Sequence, residues 1–243
     1  MTSETPLEAQ KTVELIDCGI DGVREARVVE PNTSLIEFDR FMRISTVAEQ
    51  VKKLNLKKNA VILDVGGFDG AFALFVPELR VWVIDPQTTG GSGLRMPFPD
   101  KHFDVVVSID ALEHLPRENR QQLLQELVRV TRSRLFINFP EARSMNVQKA
   151  VLSIISNEFI QEHIDYRLPT QEETIASLKE ISPSINITAT GYVNIYTWLP
   201  WFILFHTDKK RGLNISDFLK VHTHNINQPF LYDLLDCGFG GGT

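Results

Sequence analysis

Apolar positions along the chain change period several times, and each change marks an element. From Ser34 to Leu56 the residues Ile36, Phe38, Phe41, Ile44, Val47 and Val51 recur mostly at threes and fours, which predicts an amphipathic helix covering the sheet. At Val61 that period stops, and VILDV is a short apolar run suited to a strand buried on both faces. Arg80 to Asp85, Phe103 to Ile109 and Arg134 to Phe139 read the same way, while Gln121 to Thr131 is amphipathic through Leu123, Leu124, Leu127, Val128 and Val130. Gly70 to Val76 suits the start of a helix, and Asn186 to Thr190 with Thr197 to Phe205 reads as an antiparallel pair closing the sheet. The pattern is that of an α/β protein with a doubly wound, mostly parallel sheet, an antiparallel C-terminal strand, a shortened third-strand region and a small helical cap.

A single domain is expected, divided into a leader (1–33), a nucleotide-binding core (34–140), a helical cap (141–180), C-terminal strands with a closing segment (181–235) and a tail (236–243). The leader reads as mobile, with turns at Cys18 to Gly22 and Pro31 to Thr33, and the tail CGFGGGT reads as disordered. Pro86 to Gly93 is too short for a crossover helix and a further strand, so it reads either as a flexible lid over the sheet's C-terminal edge or as a plain surface loop.

Chemistry enters where VILDVGGFDGAFA breaks into glycines. Gly66, Gly67 and Gly70 carry no β-carbon, so a ligand can lie against the backbone there. Asp64 ends the first strand, and Asp85 ends the next, 21 residues on, where an acid can hydrogen-bond ribose hydroxyls. Two nucleotides compete for this geometry. A dinucleotide needs G-x-G-x-x-G, but Phe68 stands at the middle glycine, and Asp64 beside the turn repels phosphate. A cationic ligand without phosphate fits better, and S-adenosylmethionine is the candidate. A third carboxylate, Asp110, follows the strand Phe103 to Ile109 on the same edge.

Composition narrows the partners. A net charge of −6, with scattered Lys and Arg, gives no basic footprint for nucleic acid. The longest apolar run, Trp198 to Phe205, is far short of a membrane span, and the polar N-terminus is no secretory signal, so a cytoplasmic location is expected. Cys18 and Cys237 make no metal spacing and read as free thiols. His222 and His224 share one face of an extended segment without a third ligand, so no metal centre is expected. Arg40 and Arg43 read as a solvated helix face, and Trp198 with Trp201 as packing or as a platform for a sugar or acyl group.

The block from Ala60 to Pro140 resembles the class I S-adenosylmethionine-dependent methyltransferases of the methyltransferase-11 type. DVGGFDG is similar to their nucleotide turn, MPFPDKHFDVVVS to their adenine-side segment, ALEHLP to their post-strand segment and LVRVTR to the helix that follows. Glu162 to Leu178 and TWLPWFILF resemble bacterial members found near glycosyltransferases, which implies a glycosyltransferase as a possible partner. The resemblance implies a Rossmann-like fold and a cofactor site of Asp64, Gly66, Gly67, Phe68, Gly70, Asp85, Pro86, Leu94, Arg95, Met96, Ile109 and Asp110. It implies methyl transfer to a small-molecule or glycan acceptor, with a hydroxyl expected. His114 is the candidate base with Glu113 as its orienter or substitute, and His163, Asp165, Tyr166 and Trp198 are candidates for the acceptor side. Phe68 and the short loop depart from the family pattern and motivate an alternative: a methyltransferase-like binding module within a glycan-assembly complex. A nicotinamide oxidoreductase is a more distant third reading.

Overall fold

The computed structural model describes residues 12–222 and 230–239. One eight-stranded sheet runs through it: β1 (Val13–Asp17), β2 (Arg24–Val28), β3 (Val61–Val65), β4 (Arg80–Ile84), β5 (Phe103–Ile109), β6 (Thr131–Pro140), β7 (Asn186–Asn194) and β8 (Phe230–Gly238), in spatial order β1-β2-β4-β3-β5-β6-β8-β7. The central strands β4, β3, β5 and β6 are parallel, so their carboxyl ends share one edge. β8 runs antiparallel to β6, and β7 antiparallel to β8, which closes that side of the sheet.

Helices cover both faces. α1 (Phe38–Lys53), α6 (Ile195–Thr207) and α7 (Lys209–His222) lie on one side, where Phe38, Ile44, Val47 and Val51 pack with Trp198, Trp201 and Phe202. α2 (Arg117–Val130) and α5 (Gln171–Ile181) lie on the other, with Leu123, Leu124, Leu127 and Leu178 against Leu63, Val106 and Leu135. Two short helices, α3 (Met145–Leu152) and α4 (Glu158–Asp165), complete the expected cap.

Five expectations are corrected. Within the leader, residues 13–28 form the hairpin β1–β2, whose second strand pairs antiparallel with β4. The hairpin extends the sheet beyond β4, on the edge left open by the shortened third-strand region. The Pro86 to Gly93 segment is no lid: Thr89 and Gly91 are buried, and Thr89 Oγ1 donates to the Gly22 carbonyl at 2.7 Å. A β-carbon on Gly91 would lie 2.1 Å from that same carbonyl oxygen, so only glycine allows the two turns to dock so closely.

Thr197 to Phe205 is helical. Asn194 Oδ1 caps α6 by accepting from the Tyr196 amide at 2.8 Å, and Ile195, Trp198, Trp201 and Phe202 fall at helical spacing on its buried side. An all-apolar run carries no strand signature of its own. The partner of β7 is instead β8, which takes in Cys237 and Gly238 from the expected tail. After Gly70 the chain makes only the 3-10 turn Ala71–Phe75, because Pro77 disfavours the α conformation at Val76, which closes the turn.

Candidate active site

Asp64 and Asp85 sit on the carboxyl edge as expected, and both are buried. Asp64 lies among Asp69 and Asp85, so burial first, and then those two charges, push its carboxyl up to about 8, against the pull of Arg40. The glycine turn wraps this carboxylate closely: a β-carbon on Gly67 would stand 2.3 Å from Asp64 Oδ2. Asp85 Oδ1 accepts from the Gln87 amide at 2.8 Å and the Thr88 amide at 3.0 Å, so one of its oxygens is committed to ordering the Pro86 loop.

Phe68 has φ 46°, a left-handed conformation that non-glycine residues adopt at a cost. Its carbonyl accepts from Thr88 Oγ1, which ties the glycine turn to the loop after β4. The side chain is half-buried and belongs to neither core cluster, so it lies at the rim.

The 94–96 stretch divides. Met96 is core, its amide held by Glu126 Oε2 at 2.7 Å, while Arg95 is exposed and Leu94 half-buried. Pro86 is exposed beside Asp85, and Ile109 is half-buried beneath the edge. Asp110, at φ 53°, turns the chain out of β5 and ion-pairs with Arg43. Arg40 and Arg43 are therefore not a solvated face. Arg40 holds Asp69 through both guanidinium nitrogens, with one contact at 2.9 Å, and Arg43 also meets Asp39 Oδ2 at 3.4 Å and lies 5.6 Å from the centre of the Tyr232 ring. Burial raises the Asp39 carboxyl above its usual range, with Arg43 opposing.

On the acceptor side the structure separates the candidates. Glu113 and His114 occupy the 3-10 turn Leu112–His114 after Asp110, and His163 reaches them from α4, with the two imidazole centres 5.1 Å apart. Glu113 is buried, and burial raises its carboxyl, opposed chiefly by His114. The expected orienter is corrected: His114 Nδ1 pairs with Glu162 Oε2 at 2.7 Å. Burial first, then the charges of His114, Arg43 and Arg120, lower His163 to about 3, so its ring is neutral at pH 7.

Asp165 and Tyr166 do not join this group. Both are exposed, and Asp165 accepts from Gln161 on the surface of α4. Trp198 is core, 3% exposed and stacked on Phe202; Trp201 is equally buried, stacks on Phe205, and its indole donates to Ser216 Oγ at 2.7 Å. His222 is exposed on α7, and His224 lies outside the described residues. Sequence reasoning missed Asp69, Gln148 and Glu162. Asp69 had a visible signal, an acid inside the glycine turn, whereas the other two become neighbours of the histidines only through cap packing.

Residues 63–136 match the family model described as a methyltransferase domain. That stretch, under a third of the chain, is similar to methyltransferase domains. Ajmaline N-methyltransferase of Rauvolfia serpentina is 28% identical over 134 residues, 54% of this chain and 40% of that enzyme. The chain thus spans well under half the length of that curated relative. Among solved structures, a protein described as a methyltransferase from an antibiotic biosynthesis pathway of Anabaena variabilis aligns at a TM-score of 0.56 and 16% identity, covering 82% of this chain and 99% of that one. The plantazolicin methyltransferase BpumL, in complex with SAH, aligns at 0.53 and 14%, covering 83% of this chain and 84% of that one. These two are likenesses of fold alone. Among the described residues, no helix is long and apolar enough to cross a membrane.

Proposed function

We propose that the chain is an S-adenosylmethionine-dependent methyltransferase that methylates a hydroxyl of a small-molecule or glycan acceptor. The observation that carries this reading is the adjacency of two sites on one sheet edge: the acids Asp64 and Asp85 around an open glycine turn, and the Glu113, His114 and His163 group beyond Asp110. The first suits a ligand with cationic sulfonium and ammonium groups and a ribose. Asp64 and the Gly66 to Gly70 backbone would hold the methionine part, Asp85 the ribose, and the wall at Leu94 to Met96 the adenine. The cofactor supplies an electrophilic methyl on positively charged sulfur. The chain's own work is to bind, to align the acceptor and to exclude water.

On the acceptor side, Glu162 accepts from His114 Nδ1–H, which leaves Nε2 as a lone pair able to take a hydroxyl proton. An acceptor oxygen rather than nitrogen is favoured because a neutral amine needs no such base.

Calorimetry with S-adenosylmethionine and S-adenosylhomocysteine, followed by transfer of labelled methyl to polar cell extracts, tests the reading. Heat with both nucleotides and a labelled neutral product is expected. No heat and no thermal shift with either nucleotide would end it, and binding without product from any extract would assign the alternative, a binding module.

A further inference from the structure

The turn after β5 and the helix α4 bring Glu113 and His114 together with His163, which lies 49 residues beyond His114 in sequence. One ligand atom each from Glu113, His114 and His163 lies within 4.8 Å of the other two. Glu113 is 1% and His163 8% exposed, yet Glu113 Oε2 and His163 Nε2 have no hydrogen-bond partner. Buried polar atoms are nearly always satisfied, so two orphans side by side ask for an occupant.

The surrounding bonds fix what these atoms can be. Ser144 Oγ donates to the Glu141 carbonyl at 2.7 Å and accepts from Gln148 Nε2 at 3.0 Å. Gln148 therefore turns its oxygen to His163, and His163 Nδ1–H donates to it at 2.8 Å. His163 Nε2 is then a bare lone pair. His114 is held alike: Glu162 Oε2 accepts from its Nδ1–H at 2.7 Å, so in the neutral ring Nε2 carries the lone pair. A carboxylate and two imidazole lone pairs are all acceptors. Imidazole ligands to metals are oriented by this same kind of outer hydrogen bond.

Ligand atoms about 2.1 Å from a zinc-sized ion stand roughly 3 to 4 Å apart, so the group needs only side-chain adjustment to close. Nearby cations do not forbid this. Arg43 is already paired with Asp39 and Asp110, and Arg120 donates to the carbonyls of Tyr166 and Arg167.

The geometry points to a divalent transition-metal site of the two-histidine, one-carboxylate type at Glu113, His114 and His163, with open positions for the acceptor oxygen. The cation replaces His114 as the activator of the hydroxyl. A bound acceptor loses its O–H proton to solvent, its oxygen pair forms the C–O bond to the methyl, and the C–S pair returns to sulfur, giving neutral S-adenosylhomocysteine. That step rests on the proposed methyl transfer, whereas metal binding does not.

The test uses the full chain stripped with a chelator and titrated with Co2+, followed by visible absorption and dialysis. One Co2+ per chain with a tetrahedral or five-coordinate spectrum is expected, displaced by Zn2+. Glu113→Gln and His114→Ala should each weaken binding at least a hundredfold, and Gln148→Leu, which touches no metal, by about 10- to 100-fold. The exposed His222→Ala should bind as the parent does. Absence of binding by the parent, or equal binding by Glu113→Gln and His114→Ala proteins of native circular dichroism, overturns the site. S-adenosylmethionine calorimetry on the stripped protein separates the two readings: nucleotide heat without Co2+ binding rejects the metal alone, and Co2+ binding without nucleotide heat rejects methyl transfer alone.

Discussion

Arg40 of α1 grips Asp69 of the glycine turn through both guanidinium nitrogens, and Asp69 Oδ1 also accepts from the Ala71 amide at 3.1 Å. The helix before β3 is thereby pinned to the loop after it. With side chains only 17% and 4% exposed, both charges are largely withdrawn from water. Replacing Arg40 by Met leaves a buried carboxylate unpaired, which costs about 3 to 5 kcal/mol. The double variant Arg40→Met/Asp69→Asn should recover most of the loss. Urea unfolding measures both, and equal stability of Arg40→Met and the parent would remove this clamp from the account.

Much of this site was legible because parallel strands buried on both faces have to be continuous apolar runs. VILDV, RVWVID and FDVVVSI declare the sheet, and an acid at the end of each falls on one edge by geometry alone. The hairpin β1–β2 was not legible. Glu14, Glu25 and Arg27 interrupt its strands, and what binds β2 to β4 is backbone pairing and ion pairs such as Arg80 with Glu25, which have no period. Arg40 and Arg43 misled for a related reason: a charge on a helix reads as solvated unless its buried partner, here Asp69 or Asp110, is already known to lie opposite.

A β-carbon at Gly67 would collide with Asp64 Oδ2, so Gly67→Ala must push that carboxylate away. A charged hydrogen-bond group displaced from its ligand loses on the order of 1.5 to 3 kcal/mol, or about 10- to 100-fold in affinity. Calorimetry with S-adenosylhomocysteine should show this loss. Gly19→Ala, at the hairpin turn with nothing within 4 Å of the added carbon, should leave the affinity unchanged despite its positive φ. Equal affinities for both variants would place the ligand elsewhere.

Asp64 gives a pH signature. Its carboxyl is raised from 3.8 to about 8 by burial and by Asp69 and Asp85. Between these values the folded chain holds a proton that the unfolded chain has released. This group's contribution to stability therefore falls as pH rises from about 4 to about 8. A cationic ligand favours the ionised form, so nucleotide binding below pH 8 should expel that proton and tighten as pH rises. Calorimetry at pH 7 in two buffers of different ionisation enthalpy should give different heats, and Asp64→Asn should abolish the difference attributable to this site. Identical heats for the parent would show that Asp64 is already ionised or plays no part.

Thr89 joins the added hairpin to the nucleotide rim. Its hydroxyl accepts from the Asp85 amide at 2.9 Å and faces the carbonyls of Gly22 at 2.7 Å and Asp85 at 2.9 Å. Thr89→Val keeps the shape but leaves the Asp85 amide and the Gly22 carbonyl without this partner in a buried place, a loss of about 1 to 3 kcal/mol. Because Asp85 itself orders the loop through Gln87 and Thr88, the strain should reach the ribose side as well as the fold. The expected result is a lower urea midpoint together with weaker S-adenosylhomocysteine binding, both restored by Thr89→Ser, which returns the hydroxyl. Should Thr89→Val lose stability with affinity intact, the hairpin would be a brace for the sheet edge that carries nothing to the site.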